Sequence, residues 1–233
     1  MNAVITGASK GLGKAIALAL AKKGFHLFIT SRNEGDLDKV KQELLQVNPD
    51  IKVFYFPCDV SKRDQLISLS KSILSVFREV DILINNAGVF LSGNISDEPE
   101  GNLETIMNTN LYSAYHLTRA ILPNMLHRKT GHIINMCSIA SLGAYPNGSS
   151  YSISKFALLG FSKSLREELK DSGIRVTSIL PGAAWSDSWS GVDLPVERLM
   201  QADDVAKAVV CALEMSPSAV LEEIILRPQL GDL

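Results

Sequence analysis

The chain has 233 residues, of which 46% are hydrophobic and 21% are charged, so it has enough apolar side chains for the core of one sizeable domain. Its 23 Lys and Arg residues nearly balance 25 Asp and Glu residues, and no overall charge attracts nucleic acid or an anionic membrane surface. The longest uncharged apolar stretch, Ala15–Ala21, is far shorter than the ~20 residues that span a bilayer. We therefore expect one domain over residues 1–233, with neither nucleic acid nor a membrane as a partner.

Short β-branched runs alternate with longer helical patterns from end to end of the chain. This alternation predicts an α/β fold, with a doubly wound, seven-stranded parallel sheet and helices on both faces. The runs are mostly apolar throughout, as expected for strands that are covered on both faces. The predicted strands are Ala3–Thr6, His26–Thr30, Ile51–Phe56, Asp81–Ile84, His132–Met136, Arg175–Leu180 and Val220–Leu226. The predicted helices are Leu12–Lys23, Leu37–Val47, Gln65–Phe77, Leu103–Leu126, Tyr151–Lys170 and Ala202–Met215. Pro123 is expected to kink or end the fourth helix.

The cysteines and histidines give no sign of a disulfide framework or a metal site. Cys58, Cys137 and Cys211 lie more than 70 residues apart and form no CxxC pair, which favours a reducing compartment such as the cytoplasm. The histidines show no HExxH or other metal-ligand spacing, so no metal is expected. The four histidines are His26, His116, His127 and His132.

A glycine-rich segment, Thr6–Gly13, follows the first predicted strand and opens directly into the first helix. Its spacing is G-x-x-x-G-x-G, from Gly7 through Gly11 to Gly13. Glycine allows a sharp turn there and lets a pyrophosphate approach the N–H groups at the helix N-terminus. The segment predicts a dinucleotide site, although a tight strand-to-helix turn alone could also use these glycines.

The end of the second predicted strand should set the choice between NAD and NADP. Folds that prefer NAD place an acidic residue there to bind the ribose 2′-hydroxyl, whereas this chain has Ser31 and Arg32. A guanidinium can bind a 2′-phosphate through two hydrogen bonds, and Lys10 adds a second cation. We therefore predict NADP(H) as the cofactor, unless these charges are only solvated surface groups.

At this point the chain resembles the short-chain dehydrogenase/reductase family over nearly its whole length, from Thr6 to about Leu226. Ser138 lies 13 residues before Tyr151, as in the family pattern. The motifs that carry the resemblance are the glycine loop, Asp59-Val60, Asn85-Asn86-Ala87-Gly88, Asn110, Ser138, Tyr151-x-x-x-Lys155 and Pro181-Gly182. The resemblance implies a Rossmann fold and the catalytic residues Asn110, Ser138, Tyr151 and Lys155. The expected cofactor-binding residues are Gly7, Ser9, Lys10, Gly11, Leu12, Gly13, Ser31, Arg32, Asp59, Val60, Asn86, Ala87, Gly88, Tyr151, Lys155, Pro181, Gly182, Ala184 and Ser186.

The chemistry of the catalytic set also follows from its residue types. Tyr151 and Lys155 lie four apart on a predicted helix, so their side chains share a face and the ammonium can stabilise the phenolate. Without such help a phenol is a poor acid–base group near neutrality. Tyr151 would protonate an alkoxide as hydride arrives from the reduced cofactor, and Ser138 would hydrogen-bond the same oxygen. By resemblance, Asn110 would hold a water that connects Lys155 to solvent.

Two long irregular segments, residues 90–100 and the substrate loop at about 181–201, should flank the nicotinamide. Their aromatic side chains favour an apolar or planar aromatic carbonyl compound or the corresponding alcohol. The expected substrate residues are Phe90, Leu142, Tyr145, Trp185 and Trp189. Ser186 stands where many relatives have threonine, which puts its contact with the nicotinamide carboxamide in doubt.

Several more specific functions remain open at the level of sequence. The tail from Glu222 to Pro228 and the segment Pro181–Trp185 resemble the bacterial sepiapterin-reductase-like branch, which suggests a pteridine ketone with Asp232 or Asp187 as an anchor for a ring amine. The 3-oxoacyl-carrier-protein reductases share the active-site set, but often end in a Gly-Gly segment that is missing here. A non-catalytic NADP-binding redox sensor would be expected to lack part of that set. The family resemblance also implies a homodimer or homotetramer.

Overall fold

The computed structural model describes residues 1–185 and 193–232. Seven parallel strands form one sheet in the order β3-β2-β1-β4-β5-β6-β7. The strands are β1 (Asn2–Thr6), β2 (His26–Ser31), β3 (Val53–Pro57), β4 (Ile82–Asn85), β5 (Gly131–Met136), β6 (Ile174–Pro181) and β7 (Glu223–Leu226). The predicted doubly wound parallel sheet is confirmed, and its strand order reverses between β1 and β4.

Helices cover both faces of the sheet. They are α1 (Gly11–Lys22), α2 (Glu34–Val47), α3 (Arg63–Val76), α4 (Asn102–Met107), α5 (Ser113–Arg128), α6 (Ser149–Leu169) and α7 (Ala202–Leu213). Successive residues of β1 point to opposite faces: Ile5 packs in the core beneath α1 and α7, whereas Val4 packs in the core beneath α3, α5 and α6. Within the described residues, no helix has the length and apolarity that crossing a bilayer requires.

The long fourth helix differs from its prediction. It is interrupted by a π-helical turn at Asn108–Tyr112, between α4 and α5. The helix does not end at Pro123, because α5 continues to Arg128. Pro123 and Arg119 are both exposed, so the Arg119 carbonyl, which loses its N–H partner, can be solvated. The change of pitch therefore lies at the buried Asn110, well before the proline.

Two other element boundaries also differ. Helix α2 begins at Glu34, one turn earlier than predicted, because the Asn33 side chain accepts a 2.9 Å hydrogen bond from the backbone N–H of Asp36 and caps the helix. Strand β7 is shorter than predicted and is an edge strand that pairs only with the end of β6. Because all seven strands are parallel, their carboxyl ends lie at the same edge of the sheet, and the loops that follow β1 to β6 meet there.

Candidate active site

The glycine loop between β1 and α1 is held by contacts that only glycine permits. Gly7 and Gly11 have φ angles of +65° and +54°, a region that favours glycine. A Cβ at Gly13 would lie 2.2 Å from the Gly7 carbonyl oxygen and 2.4 Å from Nδ2 of Asn86. The Asn86 amide donates to the carbonyls of Thr6, at 2.8 Å, and Gly7, at 3.0 Å. The structure thus brings Asn86, one of the expected cofactor-binding residues, to the glycine loop.

Thr6, at the end of β1, also binds the loop that follows β4. Its Oγ1 accepts hydrogen bonds from the backbone N–H groups of Asn86 and Ala87, both at 3.0 Å. The hydroxyl is buried, and it joins the ends of β1 and β4 at the point where the strand order reverses. Open α/β sheets bind ligands at such a reversal.

The residues expected to bind a 2′-phosphate lie in the glycine loop and at the end of β2, and two further expected cofactor residues, Asp59 and Val60, follow β3. Arg32 and Lys10 are exposed, and Ser31 and Val60 are buried. Asp59 accepts hydrogen bonds at Oδ1 from the backbone N–H and hydroxyl of Ser61. Burial opposes ionisation of this carboxyl, but those hydrogen bonds and the charges of Lys62 and Arg32 lower its pKa below the usual value.

The ammonium of Lys155 lies inside the site. Lys155 is 5% exposed, and its Nζ donates a 2.7 Å hydrogen bond to the carbonyl of Met136 at the end of β5. The same Nζ lies 5.6 Å from the centroid of the Tyr151 ring, one helical turn earlier on α6. The predicted pairing of these side chains on one helix face therefore agrees with the geometry.

Asn110 occupies the π-helical turn, and its side chain fastens two neighbouring segments. Its Oδ1 accepts from the N–H of Val89 at 2.8 Å, and its Nδ2 donates to the Val89 carbonyl and to Oγ of Ser154, both at 3.0 Å. A Cβ at Gly88 would lie 3.3 Å from Asn110 Oδ1 and 3.8 Å from Lys155 Nζ. Asn110 thus lies beside the lysine, but its side-chain hydrogen bonds go to the loop after β4 and to α6.

Ser138 follows β5 and caps a short 3-10 turn, Ile139–Ser141. Its Oγ accepts from the N–H of Ala140 at 3.1 Å and lies 3.5 Å from the carbonyl oxygen of Pro181. The hydroxyl is buried at the end of β5, where Lys155 also binds. The structure therefore joins the ends of β5 and β6 at the predicted catalytic serine.

The side chains expected to contact substrate lie on separate loops. The Phe90 ring packs edge-on against the Tyr151 ring, with centroids 5.2 Å apart. Leu142 and Tyr145 are about two-fifths exposed. Trp185 is half-buried, and its Nε1 donates to the carbonyl of Val196 at 2.8 Å. The predicted residues Ser186, Asp187 and Trp189 lie outside the described part of the chain.

The C-terminal tail contributes contacts that the sequence did not predict. The N–H of Gly182 donates to the Leu226 carbonyl at 2.8 Å, and a Cβ at Gly182 would lie 2.8 Å from Asp232 Oδ1. Asp232 pairs with Arg227, and Arg198 donates to the carbonyls of Gly231 and Asp232 at 2.8 and 3.0 Å. Pro181 and Ala184 are buried.

A second unpredicted feature joins residues 90–100 to the N-terminus of α6. Gly93 and Gly148 form a parallel bridge, in which the Gly93 N–H donates to the Asn147 carbonyl and the Ser149 N–H donates to the Gly93 carbonyl. Ser150 also donates to Glu98. Glycine is required at position 93, because a Cβ there would lie 2.5 Å from the Glu98 Cβ. The glycine itself is the one feature of the sequence that marks this close approach. In residues 1–185 and 193–232, no three potential metal ligands come together.

Comparison with known proteins identifies the family. Residues 1–193 match the family model described as short chain dehydrogenase. The chain is 34% identical over 238 residues to a sepiapterin reductase of Chlorobaculum tepidum, covering 99% of this chain and 97% of the relative. It is 33% identical to an uncharacterised oxidoreductase of Staphylococcus epidermidis over 226 residues, covering 97% and 96% of the two chains. The chain belongs to the short-chain dehydrogenase/reductase family of oxidoreductases.

Solved structures show the same architecture. An alcohol dehydrogenase from the archaeon Thermococcus sibiricus, complexed with 5-hydroxy-NADP, superimposes with a TM-score of 0.92 at 30% identity and covers 100% of this chain and 98% of its own. L-sorbose reductase from Gluconobacter frateurii, complexed with NADPH and L-sorbose, has a TM-score of 0.89 at 27% identity, with 97% and 94% coverage. The predicted Rossmann fold is confirmed, and the predicted NADP(H) cofactor agrees with the ligands of these neighbours.

Proposed function

We propose that this protein is an NADPH-dependent reductase that converts the carbonyl group of a small apolar or aromatic compound to an alcohol. The observation that carries the proposal is the buried ammonium of Lys155, fixed on the Met136 carbonyl and 5.6 Å from the Tyr151 ring. Burying a cation costs free energy unless a polar or charged partner compensates for the lost solvation. The ammonium of Lys155 lies beside a phenol that can act as a proton donor. We also propose that residues 1–233 form one domain.

The glycine loop fits a dinucleotide. Its positive φ angles turn the backbone at the start of α1, where N–H groups and the helix dipole favour a pyrophosphate. When bound, NADPH supplies the hydride that adds to the carbonyl carbon, and NADP⁺ remains. Ala87, Gly88, Pro181 and Gly182 belong to loops that converge on the same edge of the sheet, and they are proposed to contact the nicotinamide half. Asn86, whose amide donates to the glycine loop, is proposed to lie beneath the adenosine ribose.

Proton transfer is assigned to the chain's own residues. Ser138 holds the carbonyl oxygen, and Tyr151 donates its hydroxyl proton to that oxygen as the C–O double bond is reduced. The positive charge of Lys155 stabilises the phenolate that remains on Tyr151. Asn110 lies in the π-helical turn, and its side-chain hydrogen bonds hold the loop after β4 and helix α6 in position next to Lys155.

The cofactor preference is proposed to depend on Arg32, with Ser31 and Lys10 beside it. A 2′-phosphate suits a guanidinium at this position, and Asp59 is occupied by Ser61. A Ser31→Asp, Arg32→Ile double variant should reverse the preference from NADPH to NADH. An unchanged ratio of kcat/KM for the two cofactors would contradict this assignment.

A pteridine ketone is a second candidate substrate, favoured by the similarity to the sepiapterin reductase. Asp232 lies against Gly182 at the proposed nicotinamide end, but it is paired with Arg227. An amine of a pterin ring would therefore have to compete with that guanidinium. Replacement of Arg227 with methionine should strengthen pterin binding if Asp232 is the anchor.

The protein is also proposed to form a homodimer or homotetramer in a reducing compartment, the cytoplasm. The basis is a group of exposed apolar and aromatic side chains on α6 and on the helical segment that contains α5. They are Tyr112, Tyr115, Ile153 and Phe156, which are 40 to 47% exposed. Light scattering should give a mass that is two or four times that of one chain, and a Phe156→Glu variant should give a smaller assembly.

The activity is tested by following NADPH oxidation at the absorbance of the reduced nicotinamide. The substrate panel contains sepiapterin, diketones, aromatic aldehydes, quinones and acetoacetyl thioesters, with NADH in parallel. Turnover of one class with NADPH preferred supports the proposal. NADPH binding without turnover of any compound, in either direction, would instead indicate a non-catalytic NADP-binding sensor.

A further inference from the structure

A carboxylate from another segment, Glu98, binds the first turn of the helix that carries Tyr151. Ser150, the residue before Tyr151, is buried, and its hydroxyl donates a hydrogen bond to Oε1 of Glu98. The second oxygen, Oε2, is also buried, and among the residues that the structure describes none donates to it. A buried carboxylate oxygen without a donor costs free energy, so other contacts must hold Glu98 in this place.

The N-terminus of α6 gives a reason for a negative charge at this position. Gly148, the residue before the helix, has no side chain that could cap it, and the first turn contains no acidic residue. The free N–H groups and the dipole at the start of a helix favour a negative charge. Glu98 supplies that charge through Ser150, the second residue of the helix.

The backbone of Glu98 is itself held against the residues that precede α6. Its N–H donates to the carbonyl of Asn94 at 2.8 Å, and Oδ1 of Asn94 accepts from the N–H of Asn147 at 2.9 Å. The pairing of Gly93 with Gly148 lies next to these bonds. The segment before α4 is therefore a fixed support for the carboxylate, and little ordering is needed when a substrate binds.

The turn that carries Tyr151 is bound at both of its ends. Ser154 Oγ donates to the Tyr151 carbonyl at 2.7 Å and accepts from Nδ2 of Asn110 at 3.0 Å. Ser150 and Ser154 lie four residues apart and share a buried face of α6. Glu98 thus fixes one end of the turn through Ser150, and Asn110 fixes the other end.

We propose that Glu98 is a positioning residue that aligns Tyr151 for proton transfer. This inference rests on the proposed reductase function. The Tyr151 hydroxyl must lie within hydrogen-bonding reach of the substrate oxygen, and a displacement of about 1 Å can lower a rate by about 100-fold. Glu98 takes no part in the transfer itself, in which the proton goes from Tyr151 to the oxygen of the reduced carbonyl.

The test compares Glu98→Ala with Glu98→Gln in NADPH oxidation with the best substrate of the panel. Glu98→Ala removes the acceptor of the Ser150 hydroxyl, so kcat should fall by about tenfold or more, with the NADPH dissociation constant within about threefold of the parent value. Glu98→Gln keeps an oxygen that can accept from Ser150, and its kcat should lie within about threefold of the parent value. Glu104→Ala is the matched control, because Glu104 is exposed on α4, and it should leave kcat unchanged.

The solvent deuterium isotope effect separates misalignment from a general loss of folded protein. A displaced Tyr151 hydroxyl slows the proton transfer itself, so the isotope effect on kcat/KM should be larger in Glu98→Ala than in the parent protein and in Glu104→Ala. Loss of folded protein lowers the rates in H₂O and D₂O equally and leaves their ratio unchanged.

Three results would overturn the inference and leave the reductase proposal intact. They are parental kcat in Glu98→Ala, a lower kcat with the parental isotope effect, and an equal loss of kcat in Glu98→Ala and Glu98→Gln. Absence of turnover for all compounds with the parent protein, despite NADPH binding, would refute the reductase proposal and the inference with it.

Discussion

Replacement of Gly13 with alanine should destabilise the protein, although alanine is the better helix former. The new methyl group would lie 2.2 Å from the Gly7 carbonyl oxygen and 2.4 Å from Asn86 Nδ2, so the glycine loop must move. The movement breaks two hydrogen bonds from the Asn86 amide, which are worth about 2 kcal/mol together. Overpacking adds about 2 kcal/mol, and alanine's helix propensity returns about 1 kcal/mol. The expected net loss is about 3 kcal/mol, or roughly 6–12 °C in Tm for a domain of this size.

The assay is urea unfolding together with fluorescence titration of NADPH. Gly13→Ala should also weaken NADPH binding by about tenfold or more, because the N–H groups at the start of α1 move with the loop. Gly35→Ala is the control: Gly35 is exposed in the first turn of α2, and its Cβ would meet only Asn33 Oδ1, at 3.4 Å. That change should stabilise the protein by about 0.5 kcal/mol. Parental stability and NADPH affinity in Gly13→Ala would refute the contact argument.

Three further substitutions test the anchor at Thr6, the cation at Lys155 and the buried imidazole of His132. Thr6→Val removes the acceptor of two backbone N–H groups and should lower the unfolding free energy by about 2 kcal/mol, measured with urea; an unchanged midpoint would contradict the anchoring role. Lys155→Met should lower kcat by about 100-fold or more, because the tyrosine that gives up its proton loses the neighbouring cation, whereas parental turnover would contradict the role of Lys155 in proton transfer. Burial, with the charge of Arg175, lowers the pKa of His132 to about 3, so the unfolded chain binds the extra proton. The free energy of unfolding should therefore fall as pH drops from about 6.5 towards 3. It should fall by about 1.4 kcal/mol per pH unit more than in His132→Asn, and equal slopes for the two proteins would show that His132 does not contribute.

The sheet and the pairing of Tyr151 with Lys155 were predictable because each depends on local pattern. Continuous apolar runs identify strands that are covered on both faces, and parallel strands bring their carboxyl ends together whatever the loops contain. Tyr151 and Lys155 are four residues apart on one helix, a spacing that fixes their common face. The cap that starts α2 at Glu34 could also have been found, since Asn33 is a residue type that favours this position.

The π-helical turn and the loop contacts were not predictable in this way. The sequence Asn108–Tyr112 continues an ordinary helical pattern. The wider π-helical turn there depends on the hydrogen bonds that the Asn110 side chain makes with Val89 and Ser154, which lie on other segments. The pairing of Gly93 with Gly148 likewise joins residues 55 positions apart. Such contacts depend on tertiary packing, and one chain without aligned homologues carries no signal for their partners.

Proton donation by Tyr151 is tested most directly by NADPH oxidation with Tyr151→Phe and the best substrate of the panel, alongside NADPH titration of the same variant. The phenylalanine ring keeps the packing against Phe90 but has no proton to donate. Turnover should fall by about 100-fold or more, and the NADPH dissociation constant should stay within about threefold of the parent value. Undiminished turnover would contradict the assignment of Tyr151 as the proton donor and, with it, the proposed mechanism.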